Sequence, residues 1–291
     1  MKLAIRFVPL MLVALFALTA AGETTTKPTA VTTKSFTYKK ASNTDLELIV
    51  YYPPDWKESD KRPGMVFFFG GGWTNGTIKT FDEQSRYFAS RGMVTACADY
   101  RVKSRQNVTP KECAEDAKSA LRYFRKNAST LGVDPDRIVA SGGSAGGHIA
   151  ACTTLTPGLD AEGEDTKISA KANLLVLYNP VLMFGPQLAQ RVNNDDAIAK
   201  ALSPTLYLTK ETPATLLLYG TTDFLLRDGK EYMAKSKELG HHAEMYLAEG
   251  QGHGFFNKQP WKDKTTARVA EFLEAKGYLT KLTKEKSKSD K

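Results

Sequence analysis

The chain has 291 residues, 42% of them hydrophobic and 10% aromatic, which is enough for a sizeable core in one large α/β domain or two small ones. Its formal net charge of +8 lies mostly at the ends, because residues 1–34 hold four basic side chains against one acidic and residues 280–291 hold five against two. A body so nearly balanced offers no basic stripe for nucleic acid. Three cysteines, few and odd in number, offer no disulfide framework, and Cys97, Cys113 and Cys152 read as small buried hydrophobes.

In chain order, residues 1–21 read as a signal peptide. Lys2 and Arg6 precede an apolar run from Phe7 to Leu18, and Thr19-Ala20-Ala21 supplies small residues for cleavage after Ala21. The run is shorter than the roughly 20 residues a bilayer span needs, so the expected location is secreted or periplasmic, without stable membrane insertion. Residues 22–34, rich in threonine and lysine, read as a linker. A globular domain is expected over 35–279, followed by a lysine-rich tail over 280–291.

Within the domain, strand residues at Phe36-Thr37-Tyr38 and over 46–52 flank the turn chemistry of Asn43-Thr44-Asp45, which predicts an antiparallel hairpin. Met65-Val66-Phe67-Phe68-Phe69 is unbroken apolar, as in a strand buried on both faces of a parallel sheet. A helix over 81–91 and a strand over 93–98 follow. The strongest helical period is over 110–127, where Ala114, Ala117, Leu121 and Phe124 recur at spacings of three and four behind Pro110. Residues 133–136 form a turn into the next strand. Further strands are expected at 174–178, 215–219 and 243–247, with helices near 229–239 and 265–276. Strands alternating with helices predict one mainly parallel sheet covered by helices on both faces. Residues 184–212 lack a period and suit a small lid.

The chemistry gathers at the predicted strand ends. Gly142-Gly143-Ser144-Ala145-Gly146 lies between a β-branched run and an alanine-rich helical stretch, which is the pattern of a nucleophile elbow. A serine nucleophile needs a base and the base needs an acid. Of the four histidines, His148 is four residues into the helix leaving the elbow and reads as a packing residue, while His241 and His242 open a strand. His253 stands between Gly252 and Gly254 in a loop before the final helix, which suits a base held over a site. Asp223 leaves the C-terminal end of the 215–219 strand, the edge at which sites assemble in open α/β sheets; Asp228 and Glu249 are the competing acids. Gly70-Gly71-Gly72-Trp73 ends the 65–69 strand and lets backbone amides face inward as an oxyanion hole.

These stretches, in the order Ser144, Asp223, His253, resemble the α/β-hydrolase superfamily, and within it the hormone-sensitive-lipase-like and carbohydrate acetyl- and feruloyl-esterase branches. The resemblance spans about residues 36–278. It implies Ser144 as nucleophile, His253 as base and Asp223 as acid, with Gly71, Gly72 and Ala145 as oxyanion-hole donors. It also implies an esterase that needs no cofactor. One position departs from the pattern: the family's usual His-Gly-Gly-Gly begins here with Phe69, where the family's histidine braces the loop. Trp73 and Phe255, with Phe256 beside it, are expected to bind substrate by narrowing the acyl pocket. The resulting expectation is a secreted serine esterase acting on short acyl groups, acetyl above all, of small molecules or of polysaccharides such as xylan. A peptidase of the same fold and a non-catalytic binding protein that retains it are the alternatives.

Overall fold

The computed structural model describes residues 30–41 and 43–281. The signal peptide, most of the linker and nearly all of the lysine-rich tail therefore lie outside the described residues. The strands are β1 (Thr32–Ala41), β2 (Thr44–Tyr52), β3 (Arg62–Phe68), β4 (Val94–Ala98), β5 (Val133–Gly143), β6 (Leu174–Tyr178), β7 (Thr215–Gly220) and β8 (Ala243–Ala248). They form a single sheet in the order β1-β2-β4-β3-β5-β6-β7-β8. β1 pairs antiparallel with β2, and β2 antiparallel with β4. Every pairing from β4 through β3 to β8 is parallel. The expected hairpin is present and longer than read. Its first strand starts at Thr32, so three residues assigned to the linker pair with β2. Backbone hydrogen bonds do not depend on side-chain polarity, and the side chains of this edge strand are largely exposed. The 133–136 turn is also incorporated into a strand, through the pairing of Val133 with Arg62 across a register irregularity.

The helices are α1 (Asp82–Ser90), α2 (Lys103–Gln106), α3 (Pro110–Lys126), α4 (Ala128–Leu131), α5 (Ala145–Leu155), α6 (Asp196–Ala201), α7 (Leu226–Leu239) and α8 (Trp261–Ala275). They cover both faces, and the alternation of strand side chains decides which residues meet which helices. Along β3, Val66 and Phe68 join the core of α3, α5 and α7, with Ala117, Leu121, Ile149 and Tyr232. Met65 and Phe67 join the core of α1 and α8, with Phe88, Val269 and Phe272. α3 begins with a capping box in which Thr109 caps the Lys111 amide and Glu112 reaches back to Thr109. α5 is buried on every side, as a helix must be when the sheet lies beneath it and other chain lies above.

That covering chain includes residues 184–212, the stretch without a period. It is built of short 3-10 helices at Pro186–Val192 and Pro204–Tyr207 with α6 between them. Phe184, Val192, Leu202 and Leu208 anchor it in the core. Among the described residues the three cysteines are free and buried, and no helix is long and apolar enough to cross a membrane.

Candidate active site

The C-terminal ends of the parallel strands bring the separate sequence signals together. Ser144 sits between β5 and α5 with φ 55° and ψ −119°, a strained conformation for a residue with a side chain. Its amide donates to the Tyr178 carbonyl at 2.9 Å. The turn is tight because Gly142 and Gly146 both lie against the Phe68 carbonyl, where an added Cβ would fall 2.6 Å and 2.2 Å from that oxygen.

His253, from the loop between β8 and α8, places Nε2 2.9 Å from Ser144 Oγ. Its Nδ1 lies 3.1 Å from each oxygen of Asp223. The Asp223 carboxylate is shut off from solvent and also accepts the Leu225 amide at 2.9 Å. A carboxylate can only accept, so Nδ1 carries the imidazole proton and Nε2 is left to accept from the serine hydroxyl. The competing acids are elsewhere. Asp228 accepts the Leu182 and Met183 amides, and burial raises its pKa. Glu249 is exposed.

Beside Ser144, the loop leaving β3 has positive φ at three consecutive residues: Gly71 (127°), Gly72 (61°) and Trp73 (58°). The Gly71 carbonyl accepts the Thr74 and Asn75 amides. Across a planar trans peptide the Gly72 N–H points the opposite way, and Gly72 lines the cavity that holds Ser144. Ala145 opens α5, so its N–H has no carbonyl one turn back to bond. Preorganised amides of this kind can stabilise an oxyanion formed at Ser144. Phe69 stacks on Tyr100 at 4.1 Å, and the Tyr100 hydroxyl donates to the Phe69 carbonyl at 2.7 Å.

Trp73 is nearly buried. Its Nε1–H donates to His148 Nδ1 at 3.2 Å, and His148 Nε2–H donates to the Leu202 carbonyl at 2.8 Å. His148 is thus the packing residue expected, and it also ties the oxyanion loop to the covering segment. Burial lowers its pKa from 6.5 to about 4. With the folded pKa depressed, the neutral ring stabilises the fold fully above about pH 6.5, and this contribution fades as pH falls towards 4. The difference is roughly 3 kcal/mol. Thermal unfolding followed from pH 7 to pH 4.5 is expected to show a steeper loss of Tm in the wild type than in His148→Gln, which has no proton to gain.

Two cavities meet at the serine. One, of about 420 Å³, is lined by Trp73, Val181, Leu188 and Leu225. The other, of about 440 Å³, is lined by the three loop glycines, Asn179, His253 and Phe256. Trp73 therefore borders the site as expected. Phe255 does not: it packs edge-on against Trp261 and Phe256 on the α8 side, while Phe256 presses against Gly143. In a single helical turn neighbouring residues face different ways, so of these two phenylalanines Phe256 reaches the site, on the wall that also holds His253.

Three site residues carry no motif. Asn179, fully buried at the end of β6, accepts the Gly254 amide through Oδ1 at 3.2 Å and steadies the histidine loop. Phe224 is 75% exposed, with its ring centroid 4.7 Å from that of His253. Arg191, from the covering segment, donates to the Gly72 carbonyl at 2.9 Å. The strand-edge rule that singled out Asp223 also applies to β6, and it would have found Asn179.

Known proteins match this arrangement. A family model described as BD-FAE matches residues 48–237, which include Ser144 and Asp223 and stop before His253. A structure of esterase 2 of the planctomycete Thermogutta terrifontis with propionate bound is 42% identical and superposes with a TM-score of 0.82, covering 86% of this chain and 97% of that one. The same esterase phosphonylated by sarin is 41% identical over a similar span, 86% and 97%, again with a TM-score of 0.82. A probable isoprenylcysteine alpha-carbonyl methylesterase of Oryza sativa subsp. japonica is 27% identical over 252 residues, which is 76% of this chain and 56% of that protein. The chain thus spans about half the length of the curated relatives it matches. It belongs to the BD-FAE family, on the α/β-hydrolase fold of esterases.

Proposed function

We propose that this protein is a serine carboxylic-ester hydrolase with Ser144 as nucleophile, His253 as base and Asp223 as acid. The observation that carries the reading is the continuous hydrogen-bonded line from the Asp223 carboxylate through His253 to Ser144 Oγ. In this mechanism Ser144 Oγ attacks the ester carbonyl as its proton passes to His253 Nε2. Asp223 holds the ring in the required tautomer and balances the imidazolium. The amides of Gly71, Gly72 and Ala145 receive the oxyanion. His253 then protonates the leaving alcohol, and water cleaves the acyl-enzyme by the same route.

The leaving oxygen must come within reach of His253 Nε2, so the alcohol belongs to the cavity that contains His253, with Asn179 and Asn257 on its wall. The acyl group then takes the cavity lined by Trp73, Val181 and Leu188. Propionate in the Thermogutta esterase supports a short acyl group, and we read that group as acetyl. An acetylated polysaccharide such as xylan fits the resemblance to carbohydrate esterases and the export signal expected at residues 1–21. An N-terminus at Gly22 on protein recovered outside the cytoplasm would support that location. The test of substrate is hydrolysis of p-nitrophenyl esters from C2 to C12 beside acetylated xylan. kcat/KM is expected to be highest at C2–C4 and to fall at least about tenfold by C8, the scale of one or two misfit methylenes. A maximum at C8 or longer would overturn the short-acyl reading.

A further inference from the structure

Three adjoining residues with positive φ, two of them glycine, do not hold a shape by themselves. Each carbonyl after Gly70 has an identifiable anchor. Gly71 is held inside the loop by the Thr74 and Asn75 amides; Trp73 and Thr74 are held by the Lys103 and Ser104 amides at the start of α2. Among the described residues, side chains alone hold the Gly72 carbonyl: the Thr74 hydroxyl at 3.2 Å and the Arg191 guanidinium at 2.9 Å. Arg191 also reaches Thr74 Oγ1 at 3.3 Å and lies 5.6 Å from the Trp73 ring centroid. The position where a Gly72 Cβ would stand is open apart from this guanidinium.

On the serine-hydrolase reading above, we infer that Arg191 is the positioning residue of the oxyanion loop. It braces, from the covering segment, a loop carbonyl that is held by side chains. The Gly71 carbonyl shares its peptide plane with the Gly72 N–H, and Arg191 holds the plane that follows, so the donor residue is pinned on both sides of its α-carbon. A charge-assisted bond suits this task, being about twice as strong as a neutral one. Because Arg191 also borders the acyl-side cavity, filling that cavity and ordering the oxyanion donors are coupled.

The test is steady-state hydrolysis of p-nitrophenyl acetate by Arg191→Ala and Arg191→Lys, with the rate of labelling by a fluorophosphonate probe whose phosphoryl oxygen uses the same donors. Arg191→Ala is expected to lower kcat about ten- to a hundredfold while KM changes less than about threefold, since loss of one whole donor costs about a hundred- to a thousandfold. Labelling slows in parallel. Arg191→Lys recovers part of the loss, because an ammonium reaches the carbonyl without the fork. A kcat within twofold of wild type in Arg191→Ala overturns the inference. So does a rise in KM at constant kcat, the mark of a contact to substrate alone. Should the alanine variant fail to fold, Arg191→Gln is read against the same thresholds. A wild-type protein that neither hydrolyses the ester nor takes the label would instead defeat the hydrolase reading itself.

Discussion

Replacing Ser144 with alanine is expected to lower kcat for p-nitrophenyl acetate about a millionfold and to abolish fluorophosphonate labelling, while the fold persists. On the proposed mechanism the magnitude follows from Ser144, His253 and Asp223 acting as a unit. Without Oγ there is nothing for His253 Nε2 to deprotonate, and only the oxyanion donors remain to act on a bound ester with water. The fold persists because the strained backbone is imposed from outside. The Ser144 amide is held by the Tyr178 carbonyl, and its carbonyl by the His148 amide. Alanine keeps the strain, with φ at 55°. Ser144→Gly separates the two roles: it should be equally inactive but more stable than Ser144→Ala by about 1–3 kcal/mol, since glycine tolerates this region. Activity in Ser144→Ala within a hundredfold of wild type would refute the assignment. A glycine variant no more stable than the alanine one would refute the strain.

The architecture and the three central residues were legible because each leaves a local physical trace. Residues 65–69 are apolar without interruption because both faces of β3 are covered, and such a run has few readings beyond a central strand. Ser144, Asp223 and His253 each follow a strand or adjoin glycines, because a tight turn at a sheet edge excludes side chains nearby. The covering segment was opaque for the converse reason. Its elements are one or two turns long, too short to show a period, and they are held by long-range bonds such as Phe184 N–H to Ser203 Oγ. Arg191 and Asn179 act through hydrogen bonds to Gly72 and Gly254, 119 and 75 positions away, which no spacing rule records. Phe255 and Phe256 show the finest limit, for adjacent phenylalanines carry the same signal and only the backbone decides which one meets the site.

The strongest expected effect on stability comes from Gly146→Ala, where two principles predict opposite signs. Gly146 lies inside α5, and alanine in a helix interior is favoured over glycine by about 1 kcal/mol. Its backbone is not in the left-handed region, so helical geometry alone would welcome the change. Packing forbids it. The added Cβ would sit 2.2 Å from the Phe68 carbonyl oxygen and 2.3 Å from that of Phe69, both backbone atoms at the end of β3, on which α5 rests. No side-chain rotation relieves such contacts; the helix must lift from the sheet or β3 must shift. Overpacking in a close-packed interior costs typically 1–3 kcal/mol even when side chains can give way. Here they cannot, and we expect a net loss of about 4 kcal/mol or more, seen as a sharp fall in Tm or in soluble yield. Any folded fraction should also lose activity, because the Phe69 carbonyl that would be displaced leads directly into the Gly70–Gly72 loop. A Tm equal to or above that of the wild type would mean that helix propensity outweighs the collision, and that the close approach of α5 to β3 is not what shapes the elbow.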